Sequence, residues 1–136
     1  MPDDDGLVDA LVQSSFAVTA VLTKVGTAHD LSLTQLRVLA ILRDRRPRMT
    51  ALADHLGLDR SSLSGLVDRA ARRGLVQRAP TGTDRRVVEV FLTPEGHELA
   101  NRLYAEILAA LSPVLERLAP AERRRLQALL ERTLGG

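Results

Sequence analysis

The side chains with the clearest chemistry are an aspartate and two arginines near the middle of the chain. Asp84 and Arg86 stand two residues apart, just before the β-branched run Val87–Leu92. In an extended strand such residues share a face, so the carboxylate can fix the angle of the guanidinium. An arginine held in this way suits the narrow minor groove of DNA, with Arg86 the first candidate and Arg85 the second. The alternative is a surface ion pair worth about 0–1 kcal/mol.

A second set of polar side chains lies on one side of a helix that we predict from Asp59 to Arg73. Its apolar residues share one face, which is expected to pack inward: Leu63, Leu66, Val67 and Ala70. The first turn and the outer face supply candidates for DNA contact: Arg60, Ser61, Ser62, Ser64 and Gly65, with Asp68 beyond them. A recognition helix places such N-terminal residues in the major groove, where Ser and Arg bond bases or phosphates. Capping and solvent exposure are the alternative explanation for the serines.

Gly65 and the arginines of the last turn of this helix can each be explained in two ways. Gly65 either permits close approach to DNA or is tolerated at a cost of about 1 kcal/mol in helix propensity. Arg72 and Arg73 occupy the last turn, where a favourable interaction with the helix dipole competes with DNA contact. Individual base contacts therefore do not follow from the pattern.

The positive charge is concentrated in the middle third of the chain. The net charge is +2, but residues 1–42 carry −3, residues 43–86 carry +6 and residues 87–136 carry −1. A localised basic block is the electrostatic footprint expected of a protein that binds a polyanion. Four arginines of a predicted loop are either phosphate anchors or solvated charges: Arg43, Arg45, Arg46 and Arg48.

Composition argues against several other functions. The chain has no cysteine, so disulfides, thiolate metal sites and cysteine-based redox sensing do not apply. The histidines His29, His55 and His97 are scattered and form no pair at metal-ligand spacing. Without a nucleophile elbow, a phosphate loop or paired catalytic carboxylates, we predict no enzyme activity and no cofactor. No apolar run approaches the ~18 residues of a membrane span, so we expect a soluble, cytoplasmic protein.

Helix-start and helix-stop patterns define the first half of the fold. Residues 7–28 repeat apolar side chains at helical spacing over a wide arc, which predicts a helix covered by a partner subunit. Ser32 and Gln35 form a capping box for a second helix, which must end before Pro47.

The next two predicted helices are short and closely connected. Thr50 is the expected N-cap of a helix from Ala51 to Leu56, Gly57 its C-terminal stop, and Asp59 the N-cap of the recognition helix. A Gly-containing turn of this length is typical of a helix-turn-helix.

A hairpin and two further helices complete the pattern. Two strands and the basic turn between them are Leu75–Ala79, Val87–Leu92 and Pro80–Arg86. Thr93 and Pro94 start a helix that Pro113 is expected to kink or break, and the last helix runs from Pro120 to about Leu134.

The predicted fold is mainly α with a small β-hairpin wing, a winged helix-turn-helix with dimerisation helices at both ends. We divide it into an N-terminal dimerisation helix (1–30), a winged helix-turn-helix (31–93) and C-terminal dimerisation helices (94–136).

Together these residues resemble the MarR family of bacterial transcription regulators over nearly the whole chain. The most specific part is Asp84-x-Arg86 followed by Leu92-Thr93 and Gly96. The second part is Leu52-Ala53-x-x-Leu56-Gly57, Ser64-x-Leu66-Val67-Asp68-Arg69 and Arg73-Gly74-Leu75-Val76-x-Arg78.

The resemblance implies a homodimer with two recognition helices in successive major grooves of a pseudo-palindromic site in double-stranded DNA. In the family, the arginine matching Arg86 reaches the minor groove and the aspartate matching Asp84 supports it. Many members bind small phenolic or lipophilic ligands between the dimer helices and the DNA-binding part, and then release DNA. The expected function is therefore transcriptional regulation by a repressor that releases DNA when a small molecule binds to it.

Candidates for contacting such an effector are few because aromatic residues are scarce. Phe16 and Tyr104 are the candidates for stacking and Arg37 for holding an anion, with plain core or surface roles as the alternative. A metal-responsive or ligand-independent regulator remains an alternative. So does a winged helix that binds protein, although the basic excess in residues 43–86 argues against it.

Overall fold

A computed structural model describes residues 2–135, which form a short 3₁₀ turn, six α-helices and one antiparallel hairpin. The helices and strands are α1 (Asp5–Ala28), α2 (Leu33–Leu42), α3 (Met49–Leu56), α4 (Arg60–Arg72), β1 (Val76–Thr81), β2 (Asp84–Leu92), α5 (Pro94–Leu115) and α6 (Pro120–Thr133). This mainly helical architecture with a hairpin wing confirms the predicted fold class. Whether residues 1–30, 31–93 and 94–136 act as separate parts stays a prediction.

The core lies where α2, α3 and α4 pack against the hairpin and the first half of α5. Its most deeply buried side chains are Val38, Leu39, Leu42, Leu52, Leu63, Val67 and Val90. The predicted inner face of α4 is confirmed, since its four apolar residues are all buried. Each such side chain contributes about 1.5–3 kcal/mol relative to an exposed one.

Three helix starts follow the predicted capping chemistry. The Ser32 hydroxyl accepts from the Gln35 N–H at 3.1 Å, and the Gln35 side chain accepts from the Ser32 N–H at 2.7 Å. Asp59 accepts from the Ser62 N–H at 2.7 Å and Thr93 from the Gly96 N–H at 3.0 Å. These caps satisfy backbone donors that a helix start otherwise leaves unpaired.

The start of α3 differs from the prediction. Its N-cap is Arg48, which makes no side-chain capping bond, and Thr50 lies within the helix. The cause is the sheet, because the Pro47 carbonyl accepts from the Val90 N–H at 3.0 Å and Arg48 bridges to Glu89. That pairing holds the chain extended through Arg48, and the helix begins at the next residue.

The hairpin is also tighter than predicted. Thr81 pairs with Asp84, so the turn consists of Gly82 and Thr83, and Asp84 begins β2. Gly82 has a φ of +65°, which glycine adopts at no steric cost. Asp84 therefore begins β2, and Arg85 and Arg86 lie where the register is irregular, between the pairs Thr81–Asp84 and Pro80–Val88.

Pro113 does not break α5, which continues to Leu115. A proline removes one backbone donor and crowds the preceding turn, but here it lies only two residues from the end of the helix. The expected break at Pro113 was wrong, since the helix continues through this residue and ends two positions later. The last helix, α6, begins at Pro120 as predicted, and Glu122 accepts from the Ala119 N–H at 2.7 Å.

The expectation that no segment suits a membrane span was wrong for α1. This 24-residue helix contains an 18-residue window of mean hydropathy 1.4, which by length and composition alone is enough to cross a membrane. Gly26 is its one buried residue within the described chain, and its apolar side chains are largely uncovered, including Leu7, Leu11 and Phe16. The helix therefore needs another apolar surface against it.

Gly96 tests the packing of α5 against the hairpin. A Cβ at this position would lie 2.0 Å from the Leu75 carbonyl oxygen, so we expect Gly96→Ala to destabilise the fold by about 1–3 kcal/mol or more. Gly6→Ala is the matched control, because nothing lies within 4 Å of its added Cβ. Thermal denaturation followed by circular dichroism compares the two variants. Equal melting temperatures would show that α5 does not depend on this close approach.

Candidate nucleic-acid interface

The first turn of α4 is fixed by Asp59. Besides capping the helix through Ser62, its carboxylate accepts from the Ser61 hydroxyl at 3.0 Å. The Ser62 backbone N–H, followed by the Ser62 and Ser61 side chains, lowers the pKa of Asp59 below its ordinary 3.8. Arg60, Ser61 and Ser62 are all exposed, so this rigid turn presents a basic group and two hydroxyls to solvent.

The wing presents Arg86 in a defined orientation. Its Nε and Nη2 donate to the two oxygens of Asp84 at 3.1 and 3.2 Å, and its backbone N–H donates at 3.0 Å. The Arg86 side chain first, and then its backbone N–H, lowers the pKa of Asp84 below 3.8. The side chain of Arg86 is nevertheless 92% exposed, and the neighbouring Arg85 is exposed as well. The carboxylate thus fixes a guanidinium that projects from the protein.

A cleft of about 340 Å³ lies between α4 and the wing. We call it the arginine cleft, after the four arginines among the polar residues that line it: Arg48, Thr50, Arg60, Ser64, Arg78 and Arg86. Three separate segments contribute these side chains, namely the start of α3, the start of α4 and the hairpin. Such an arrangement offers several guanidinium groups to a polyanion, as phosphate recognition requires.

Four of the predicted DNA-binding residues meet in this cleft, and the others lie around it. Ser61 and Ser62 belong to the exposed first turn of α4, and Asp84 and Arg85 to the outer end of β2. Gly65 is half-buried, and an added Cβ would meet Arg69 at an ordinary 3.5 Å. The protein itself therefore does not require glycine there, and both explanations for Gly65 remain.

An ion pair that the sequence did not reveal joins α4 to the wing. Asp68, expected on the outer face, accepts from the Arg78 guanidinium of β1. The two residues are ten positions apart and belong to different elements, so no helical or strand spacing relates them. The pair links the recognition helix to the wing and so restrains the shape of the arginine cleft.

The arginines between α2 and α3 divide into two groups. The Arg46 guanidinium lies 3.9 Å from the centre of the Phe91 ring and 3.8 Å from the Glu89 carboxylate. Arg43 donates to Asn101 at 3.0 Å and lies 4.1 Å from the centre of the Tyr104 ring. These two arginines pack on α5 and the wing. Arg45 and Arg48 form the second group, in which Arg45 is exposed beside Asp44 and Arg48 lines the arginine cleft.

The three residues predicted to contact an effector do not come together in the single chain. Phe16 and Tyr104 are 71% and 49% exposed, and Arg37 is exposed too. No hydrogen bond or cation–π contact joins the three in residues 2–135, and the cation over Tyr104 is Arg43. Sequence reasoning missed this pair because Arg43 follows the end of α2, far along the chain from α5.

Metal ligands are likewise not clustered in the part of the chain that the structure describes. No group of three His, Asp or Glu side chains with the arrangement of a metal site occurs there. His29 instead contacts Glu106 on α5, with 2.6 Å between Nε2 and Oε2.

A helix-turn-helix followed by a hairpin wing, with a cleft of arginines between them, defines a winged helix-turn-helix protein of the DNA-binding class. Within that class the chain belongs to the MarR family, whose sequence profile matches residues 29–87. The resemblance predicted from the motifs is thereby confirmed.

Two relatives and one solved structure illustrate this membership. The transcriptional regulator PecS of Dickeya dadantii is 30% identical over 130 residues, which are 93% of this chain and 78% of that protein. The homoprotocatechuate degradative operon repressor of Escherichia coli is 32% identical over 129 residues, 93% of this chain and 86% of its own. The structure of NadR in complex with 4-hydroxyphenylacetate superposes with a TM-score of 0.78 at 25% identity, covering 91% of this chain and 89% of that one.

The pairing of Asp84 with Arg86 has a measurable pH dependence. A folded-state pKa below the unfolded value means that the pair stabilises the wing above pH 3.8 and is lost as the pH falls through the folded pKa. We expect Arg86→Ala to raise the pKa of Asp84 towards 3.8, because the main donor is removed. Carboxyl-detected NMR titration measures the shift, with Arg85→Ala as the control. A larger shift in the control would assign the effect to general charge.

Proposed function

We propose that the chain is a homodimeric repressor that binds a specific double-stranded DNA site and releases it when a small phenolic effector binds. The observation that carries this proposal is the arginine cleft, which places the first turn of α4 beside the ordered Arg86 of the wing. One molecule thereby presents a helix suited to the major groove and an arginine suited to the minor groove.

The recognition helix supports base and phosphate contacts by its shape and its charges. Its first turn carries Arg60, Ser61 and Ser62 in exposed positions, and Ser64 follows on the wall of the cleft. Small hydroxyl side chains let the helix approach base edges, and Arg60 pairs with guanine or phosphate. The positive end of the helix dipole adds to this attraction.

The wing supports insertion of Arg86 into the minor groove. Two nitrogens of its guanidinium donate to Asp84, which leaves its remaining donors for DNA. Because the Asp84 carboxylate fixes the side chain beforehand, less rotamer entropy is lost on binding. Arg48, Arg78 and Arg85 surround the site and suit phosphate contacts.

The apolar surfaces of α1 and α6 support the homodimer. All described residues of α6 are exposed, and its leucines 126, 129 and 130 form one stripe. The exposed apolar side chains of α1 form a second uncovered surface. A second copy of the chain covers both surfaces through a self-complementary interface, as two-fold dimers do. We accordingly assign the apolar α1 to a protein interface, and the protein to the cytoplasm where the DNA is.

The effector proposal rests on two related proteins. The Escherichia coli relative is named for the homoprotocatechuate degradative operon, and NadR was solved with 4-hydroxyphenylacetate. Both compounds are phenolic acids, which suit an aromatic side chain beside a cation. Tyr104 with Arg43 over its ring supplies that combination in this chain, with Phe16 and Arg37 as the further candidates. DNA binding measured with and without 4-hydroxyphenylacetate tests the proposal.

Arg86 provides the direct test of DNA binding. A duplex selected from a random pool by the wild-type protein should bind Arg86→Ala about tenfold or more weakly, since a specific arginine contact contributes about 1–3 kcal/mol. Fluorescence anisotropy at several salt concentrations measures this affinity. A plot of log K against the logarithm of the salt concentration should have a slope of about −0.9 for each phosphate that the protein neutralises. Arg124→Ala is the control, because Arg124 is an exposed arginine of α6 outside the arginine cleft. An equal loss of DNA affinity in both variants would refute the assignment of the wing as a DNA-contacting element.

Leu130 tests the dimer. This residue is 42% exposed in one chain, and a charge there must be buried unpaired if α6 lies in the interface. We expect Leu130→Asp to raise the dimer dissociation constant about a hundredfold or more, which corresponds to about 3 kcal/mol. Sedimentation velocity measures the shift. Arg124→Asp, on the opposite face of α6, should leave the dimer intact, and a dimer unaffected by Leu130→Asp would exclude α6 from the interface.

A further inference from the structure

Arg73, the residue that follows α4, makes a contact that neither helix capping nor DNA binding explains. Its Nη1 donates to the Asp30 carbonyl at 3.1 Å and its Nη2 to the His29 carbonyl at 3.0 Å. His29 and Asp30 connect α1 to α2, more than forty residues earlier in the chain, and we call them the α1–α2 corner. The planar fork of the guanidinium thus pairs with two consecutive backbone acceptors.

The α1–α2 corner is itself held in place. The His29 and Leu31 N–H groups both donate to the Gly26 carbonyl, at 3.0 and 2.8 Å, and Asp30 has a left-handed φ of +57°. A Cβ on Gly26 would lie 2.9 Å from the Leu31 carbonyl oxygen, so the chain turns back closely on the end of α1. The two carbonyls that Arg73 contacts are therefore fixed acceptors and not parts of a loose loop.

The same corner is connected to α5 through a side chain. The His29 imidazole and the Glu106 carboxylate are 2.6 Å apart, with side chains 18% and 43% exposed. Arg73, the corner and the His29–Glu106 pair form one continuous path from the recognition helix to both α1 and α5. In the proposed function α1 carries part of the dimer interface, and α5 leads into α6, which carries the rest.

The end of α4 has a second attachment, at the start of α5. The Thr93 hydroxyl donates to the Gly74 carbonyl at 2.6 Å, and the Thr93 N–H donates to the Leu75 carbonyl at 3.0 Å. The inner face of α4 is also buried in the core, and Asp68 pairs with Arg78 of β1. Among these attachments, the contact of Arg73 is the one directed to the α1–α2 corner.

We propose that Arg73 is a positioning residue that sets the direction of α4 relative to the dimer helices, and with it the separation of the two recognition helices on DNA. This inference rests on the proposed function, because it concerns how the dimer matches its site. Two recognition helices contact half-sites about one helical turn apart, so a small swivel of each helix changes the spacing that fits. Arg73 acts on DNA through this geometry and not through contact.

The experiment compares DNA duplexes whose two half-sites stand at the selected spacing, one base pair closer and one base pair farther apart. Wild-type protein should lose about tenfold or more in affinity at either altered spacing, since one base pair moves a half-site by about 3.4 Å along the helix axis. Arg73→Ala should bind the selected spacing more weakly and lose about threefold or less when the spacing changes. Arg73→Lys, which offers one donor group in place of a fork, should fall between them.

Arg72→Ala is the matched control because it removes an equal charge from the adjacent position of the same exposed turn. It should weaken binding equally at all spacings, if at all, and keep the spacing dependence of the wild type. Circular dichroism and sedimentation confirm that each variant is folded and dimeric, and Arg73→Lys gives the readout if Arg73→Ala does not fold.

The possible results separate this inference from the proposed function. If wild-type protein selects no duplex, the proposed function fails and the role of Arg73 fails with it. If wild-type protein binds with a steep spacing dependence and folded Arg73→Ala keeps the same steepness, or Arg73→Lys does so where Arg73→Ala does not fold, Arg73 does not set the separation. If Arg72→Ala flattens the dependence as much as Arg73→Ala, the effect is one of charge, and the positioning role is likewise refuted.

Discussion

The fold depends on the junction that Thr93 makes between the recognition helix, the hairpin and α5. Its hydroxyl accepts from Gly96 and donates to Gly74, and its backbone N–H donates to Leu75. The junction closes only because Gly96 lacks a Cβ, which lets α5 lie directly on the Leu75 carbonyl. One residue, Thr93, therefore connects the end of the hairpin to the start of α5 without a flexible linker.

Much of this architecture could be predicted from the sequence, because its causes are local. The capping side chains Ser32, Asp59 and Thr93 act within three residues of their partners. The inner face of α4 follows from its helical repeat, and Asp84 pairs with Arg86 over a spacing of two residues. Short-range rules of this kind hold whatever the rest of the chain does.

The remaining features depend on partners that no periodicity relates. Two contacts form only because whole elements pack together, namely Arg78 with Asp68 and Arg43 with Tyr104. The long side chain of an arginine can reach many partners, so the sequence alone does not select one. The same reason explains the wrong N-cap of α3, since the bridge of Arg48 to Glu89 comes from the far strand of the hairpin. The hydropathy of α1 differs from expectation for another reason, because its interspersed polar residues conceal an average that is apolar enough for a membrane span.

The full exposure of α6 in a single chain has a consequence for the amount of protein in a cell. A helix of 14 residues without a core of its own gains little from its intrinsic propensity, so a partner molecule must supply most of its order. Folding of this end of the chain then obeys mass action, and its stability rises with the concentration of the chain itself. In the proposed dimer, the order of α6 is therefore coupled to the amount of the chain that is present.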